Sequence, residues 1–450
     1  HPVAHSFPTR RSSDLNQLLI SPELLVKEEL IGQDEINKLE ESKVEYTDFN
    51  KAAKKKDKIL KIAFNNFQKK GISADYKSFK NKNKYWLNDF AMYCALREKF
   101  SEKSWNDWPD EFRNRKPETL EKTREELENS INMYIFFQYL FYSQWNALKR
   151  YANDKSIRIM GDLPFYVSYD SADVWTNKNN FKLDEDNDPL FVSGVPPDDF
   201  SDTGQLWGHP IYDWNTLKNN GYQWWLDRVE HNMNLYDFLR IDHFRGFIEY
   251  WQIPYGNNTA EKGKWKNGPG NDFLSKLNKK FSNYPFVAED LGAMTESVNK
   301  AKEKYGFPAT KVLLFAFNGD YINPHLPHNY IRNNFVCTGT HDTHTVKGWL
   351  ENKAGKKEKK MIKRYLGKNI SNENIHEEFI RLAMMSVAKM LSLPMQDIKG
   401  LGDEARMNQP GKEGGNWTWR LKNHELESED WRVLLKNFTE IYGRMNSGSN

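Results

Sequence analysis

A chain of 450 residues is long enough for one large α/β barrel with insertions, or for two or three ordinary domains. Lys and Arg total 65 against 62 Asp and Glu, and this surplus of three charges is too small for a nucleic-acid or membrane-surface protein, so a neutral partner is expected. Only two cysteines are present, Cys94 and Cys337, too far apart in sequence for the disulfide framework of a small secreted domain, which points to a reducing cytoplasm. The richest apolar stretch, 133–142, is interrupted by Gln138 and falls short of the roughly 18–20 apolar residues that a membrane span requires. Aromatic residues make up 14% of the chain, with 15 Trp, and flat rings serve both a large core and the apolar faces of sugars.

In chain order, residues 1–15 lack the apolar middle region of a secretory signal. FPTRRSSDL at 7–15 resembles an in-frame translation of a sequencing adapter, so the native sequence is expected to begin near Asn16 and the natural gene product to extend further upstream. Residues 16–155 are expected to form a helical subdomain, with apolar positions such as Met133, Phe137, Leu140, Phe141 and Leu148 at helical spacing. The basic run 51–61 reads as a solvated helix face in preference to a binding patch.

Beyond 155 short apolar runs alternate with amphipathic stretches, the pattern of β-α units around a parallel sheet. Strands are expected at 157–163, 238–243, 286–291, 311–317, 335–339 and 391–398, within a catalytic barrel spanning 156–446. Asp162, Asp242, Glu289 and the loop holding His341 and Asp342 lie at strand ends, where a (β/α)8 TIM barrel keeps its active site. Six strands leave such a barrel two short, and the missing pair is expected upstream of the helical region. The segment 169–212, rich in Asp, Asn, Pro and Gly and without clear periodicity, reads as a functional loop over the barrel mouth.

Cleaving a glycosidic bond with retention needs one carboxylate as nucleophile and a protonated one as acid, about 5–5.5 Å apart. In RIDHFRG (240–246), Arg240 and Asp242 are two apart on a strand and share a face, where the guanidinium favours an ionised nucleophile; a purely structural ion pair is the competing reading. In VAEDLG (287–292), Glu289 and Asp290 face opposite sides, so one reaches the site while the other serves packing; Glu289, after two apolar residues, suits a general acid. In TGTHDTHT (338–345), Asp342 can oppose the positive charge of the transition state beside the donor His341. A metal held by His341, Asp342 and His344 is the alternative, set aside because catalytic metal sites need a defined ligand geometry.

Together with these motifs, GDLPFYVSYDSADVW (161–175), GVPPDDFSDTGQLWGHP (194–210), the longer run RIDHFRGFIEYW (240–251), HLPHNY (325–330) and ARMNQPGKEGGNW (405–417) resemble the amylomaltases, glycoside hydrolase family 77 of the α-amylase clan, from about Asn16 to the C-terminus. The resemblance implies a 4-α-glucanotransferase that moves α-1,4-glucan segments from maltooligosaccharides to glucose or other α-glucans, without metal or organic cofactor. It implies Asp242 as nucleophile, Glu289 as acid/base and Asp342 as transition-state stabiliser, with Arg240, His243 and His341 as sugar-contacting support. Asp198, Phe200, Gln205 and Trp207 match the family loop that reaches over the glucan, and Asn408 and Asn416 match late positions that add hydrogen bonds or hold turns.

Three departures stand out. Asp199 replaces an aromatic expected after Asp198, Thr343 and His344 replace the usual continuation after Asp342, and the family's first two strands are absent upstream of Asn16. Open strand edges make the 450-residue chain alone an expected poor performer, and near-normal transfer by it would overturn that expectation. An α-amylase-type hydrolase uses the same three acids, with water in place of the acceptor, and an inactive glucan-binding fragment is a rival of another class.

Overall fold

In the computed structural model, residues 16–38, 46–197, 201–282, 285–292, 294–410, 412 and 414–445 are described. The adapter-like stretch 7–15 and the loop positions Asp198, Asp199 and Phe200 lie outside them. The helical pattern of the N-terminal third folds as helices Phe49–Lys70, Ala74–Lys99, Pro117–Glu126 and Glu128–Asp154. Ser73 starts the second of these, its hydroxyl accepting the Tyr76 N–H at 3.2 Å, and Trp86, Leu87, Phe90, Tyr93 and Cys94 recur at helical spacing on the buried side. In the first helix Ile59 and Leu60 are buried while Lys54, Lys58 and Lys61 of the basic run are exposed.

Ten strands occur among the described residues: β1 (Met160–Leu163), β2 (Phe191–Val195), β3 (Gln205–Pro210), β4 (Phe238–Ile241), β5 (Glu249–Pro254), β6 (Lys264–Asn267), β7 (Phe286–Ala288), β8 (Ala309–Val312), β9 (Asn334–Cys337) and β10 (Met390–Ser392). Packing groups the chain into two compact units, the first comprising Asn50–Phe286 with residues up to 41, the second Val287–Asn450 with Ser42–Phe49. The boundary expected at 155/156 therefore falls inside the first unit.

In the first unit β1 and β4 run parallel, with Asp162 opposite Arg240 and Leu163 opposite Ile241. Gly161 is required here, because a Cβ at that position would lie 2.2 Å from the Tyr236 ring. The Leu239 N–H donates to the carbonyl of Pro285 at 3.3 Å. In the second unit β7, β8, β9 and β10 follow one another in parallel pairs, Lys311 opposite Val336 and Leu391 opposite Val336 on the other side. Val312, Leu313, Val336, Trp349, Ile362 and Phe379 build the apolar core beside these strands.

All six expected strands are present, but each is shorter than its apolar run. After β8 the run Leu313–Phe315 tightens into a 3-10 turn, and after β10 Pro394 begins the short helix Met395–Ile398. Apolar character continues through these turns because they pack inward, so the run overstates the strand.

The segment 169–212 differs more. It contains the helix Ala172–Thr176 and strands β2 and β3, which join β5 and β6 in an antiparallel sheet of order β3-β2-β5-β6 over a small core of Val192, Ile253 and Ala260. The register shifts between Val192 and Gly194, and Gly194 packs against the Gln205 carbonyl where no Cβ fits. A bulged, glycine-bearing strand loses the period-two signal that marks strands in sequence.

Candidate active site

In the first unit, the chain leaving β4 brings Arg240, Asp242 and His243 to the end of the strand. The Asp242 N–H extends the ladder by donating to the Leu163 carbonyl at 3.0 Å. Arg240 is shared between two carboxylates: Nη1 lies 2.7 Å from both Asp162 oxygens, and Nη2 lies 3.0 Å from Asp242 Oδ1. With Nη1 held by Asp162 and Nη2 by Asp242, the guanidinium is tethered at two nitrogens and positions the Asp242 carboxylate. Asp242 keeps 30% of its side chain exposed, whereas Arg240 keeps 13%, so the acid is the partner that a ligand can reach.

His243 follows at φ +45°, ψ +48°, a left-handed conformation that costs energy for a residue other than glycine and turns the chain sharply after Asp242. Its ring meets Trp207 edge-on at 4.9 Å, with Tyr166 at 6.1 Å and Phe165 at 5.9 Å. Trp207 Nε1 donates to Gln205 Oε1 at 3.2 Å, which holds the half-buried indole upright on β3. Of the expected first-unit residues, the structure thus brings together Arg240, Asp242, His243, Gln205 and Trp207. Tyr166 was missed by sequence reasoning, although it lies within the GDLPFYV run; burial pushes its phenol well above the usual range, so it stays neutral.

In the second unit Glu289 is the first residue after β7 and is half-buried, its Oε1 accepting the Leu291 N–H at 2.8 Å. Asp290, the next residue beyond β7, is turned into the protein interior. It is 7% exposed, is in contact with the buried Lys302 ammonium and accepts the Thr310 N–H at 2.7 Å. Burial pushes the Asp290 carboxyl up, while Lys302, Lys311 and the Thr310 N–H pull against that shift.

The loop after β9 is knitted by Thr343, whose hydroxyl accepts the Thr340 N–H at 3.0 Å and lies 3.1 Å from the Thr340 carbonyl. His341 Nε2 lies 3.3 Å from Asp342 Oδ2, and the His341 ring packs against Trp417 at 5.2 Å. Asn408 Nδ2 donates to Asp342 Oδ1 at 2.5 Å. Asn416 serves its own loop: half-buried, it accepts the Gln409 N–H at 3.0 Å and donates to the Lys412 carbonyl at 3.0 Å. The residue beside it, Trp417, is the one that reaches His341, a contact its place in the GGNW run could have suggested.

His344 bonds to Asp403 at 2.7 Å through Nδ1, so the altered continuation after Asp342 has its own pairing. Among the described residues no cluster of three or more His, Cys, Asp or Glu side chains is arranged to hold a metal ion.

Residues 8–426 match the glycoside hydrolase family 77 model, described as 4-alpha-glucanotransferase. A 4-alpha-glucanotransferase of Aquifex aeolicus is 43% identical over 429 residues, covering 95% of this chain and 86% of its own length. A chloroplastic/amyloplastic 4-alpha-glucanotransferase of Arabidopsis thaliana is 41% identical, covering 96% of this chain and 75% of its own. The amylomaltase of Streptococcus agalactiae, solved in complex with acarbose, superposes with a TM-score of 0.92 at 37% identity, covering 96% of this chain and 88% of that one. These likenesses place the fold among the α/β barrels of amylomaltase type. The chain belongs to the 4-alpha-glucanotransferase family, glycoside hydrolase family 77.

Proposed function

We propose that this 4-α-glucanotransferase works by double displacement, with Asp242 as nucleophile, Glu289 as acid/base and Asp342 opposing the charge of the transition state. The observation that carries the reading is that each acid stands at the C-terminal end of a parallel strand, or in the loop that follows it. In the first step Glu289 protonates the glycosidic oxygen, the bond from that oxygen to the anomeric carbon breaks, and an Asp242 oxygen bonds to the carbon as a β-linked ester. The reducing-end segment leaves with the Glu289 proton. In the second step Glu289 takes the proton from an acceptor 4-hydroxyl, whose oxygen displaces Asp242 and restores the α-linkage.

Arg240 holds Asp242 for this role, and His243, His341, Gln205 and Trp207 are the proposed sugar contacts, the indole offering a flat face to a glucose ring. Asp198 and Phe200 are proposed to join them from the segment 169–212, acting as a lid, and Asn416 serves by holding its loop. Maltooligosaccharides are the donors, and glucose or longer α-glucans the acceptors; nucleic acid and membrane are not partners, and no cofactor enters either step. No helix among the described residues is long and apolar enough to cross a membrane. The cytoplasm is the proposed location, supported by there being only two cysteines, Cys94 and Cys337, far apart in sequence and both buried.

Incubation with maltotriose tests the reading. Glucose together with maltotetraose and longer products is expected; shortening without lengthening would instead establish a hydrolase.

A further inference from the structure

We propose that Asn408 is a positioning residue that acts on the glucan through Asp342, without touching the sugar. This rests on Asp342 being the transition-state stabiliser. Asn408 is 1% exposed, which removes it from direct reach of a ligand. Its side-chain N–H donates to Asp342 Oδ1 at 2.5 Å, and its backbone N–H donates to the His341 carbonyl at 2.9 Å. The amide must present nitrogen to the carboxylate, because its own oxygen would meet a second acceptor. That oxygen is buried without a hydrogen-bond partner among the described residues, so the bond to Asp342 is what orients the side chain.

Arg406 completes the device. Its Nη2 donates to the Asp342 backbone carbonyl at 2.7 Å and its Nε to the Asn408 carbonyl at 2.9 Å, so one guanidinium ties the two residues by their main chains. The Asp342 carboxylate is thereby held at one oxygen by Asn408, while His341 lies 3.3 Å from the other. A carboxylate pinned in this way cannot rotate about its last bond, and stabilisation by a fixed charge depends on that charge staying in place. Arg406 also sits in the field of Asp403, so the charged and titratable groups near Asp342 include His341, Arg406 and, one step out, Asp403.

The test uses Asn408→Ala and the near-isosteric Asn408→Asp in the full chain, with kcat and KM on maltotriose measured across pH and folding checked by circular dichroism. Loss of a supporting hydrogen bond to a catalytic group is expected to lower kcat about 10–100-fold in Asn408→Ala while KM stays within about two-fold. Asn408→Asp sets a like charge against Asp342 and is expected to move the acid limb of kcat upward by about one pH unit, a displacement that loosened packing alone does not produce. If Asn408→Ala does not fold, the limb position in Asn408→Asp decides. A raised KM with unchanged kcat would show direct sugar contact and overturn the proposal. Wild-type behaviour of both variants beside an inactive Asp342→Asn would overturn it alone, whereas an active Asp342→Asn would overturn the role of Asp342 itself.

Discussion

Asp242→Asn is expected to lower kcat for glucan transfer by about 10⁴-fold or more, the scale on which enzymes lose rate when a nucleophile is removed. The amide cannot form the glycosyl ester, so no covalent step remains. The substitution is nearly isosteric, and Arg240 keeps both of its bonds to Asp162, so the strand end should hold its shape. Maltotriose should therefore still bind, with a Kd near the wild-type value by calorimetry. Retention of more than a tenth of wild-type kcat would remove Asp242 from the nucleophile's role; a binding module would show unchanged affinity and no turnover in either protein.

The second large effect lies behind Glu289. Lys302→Met should destabilise the protein by about 3–5 kcal/mol, because it leaves the buried Asp290 charge without its closest partner. Lys311 also acts on Asp290, and that residual attraction favours the lower end of the range. The double variant Asp290→Asn/Lys302→Met removes both charges and should recover much of the loss, since a neutral pair carries no unpaired burial cost. Denaturation by urea followed by fluorescence measures both. Equal stability of Lys302→Met and wild type would show that Asp290 is solvated or protonated in place, and that the pair does not anchor the turn carrying Glu289.

Much of this was legible in the sequence because β4, β7 and β9 are short, largely apolar runs with acids at or soon after their ends. The runs around Leu239, Val287 and Val336 are buried, and the residue types change abruptly at Asp242, Glu289 and the His341–Asp342 loop. Glu289 and Asp290 both lie beyond the end of β7, so the strand period does not set their directions; of the two, Asp290 is the one packed against Lys302.

What escaped depended on contacts distant in sequence. Strand β2 pairs with β5, Ser193 opposite Gln252, so its identity as a strand is settled by residues far along the chain and not by local alternation. The support given by Asn408 to Asp342 spans 66 residues, and nothing near either residue announces it. His344 was visible as a departure, but its partner Asp403 became apparent only in three dimensions.

The most direct test of the double-displacement account is to trap the intermediate. In Glu289→Gln, α-maltotriosyl fluoride can still react, because fluoride leaves without a proton: the bond from the anomeric carbon to fluorine breaks and the bond to an Asp242 oxygen forms. The missing base then slows transfer to an acceptor. Proteolysis and mass spectrometry should find one maltotriosyl group on the peptide containing Asp242. A label on any other residue, or fluoride release that yields products of inverted configuration with no adduct, would contradict the account.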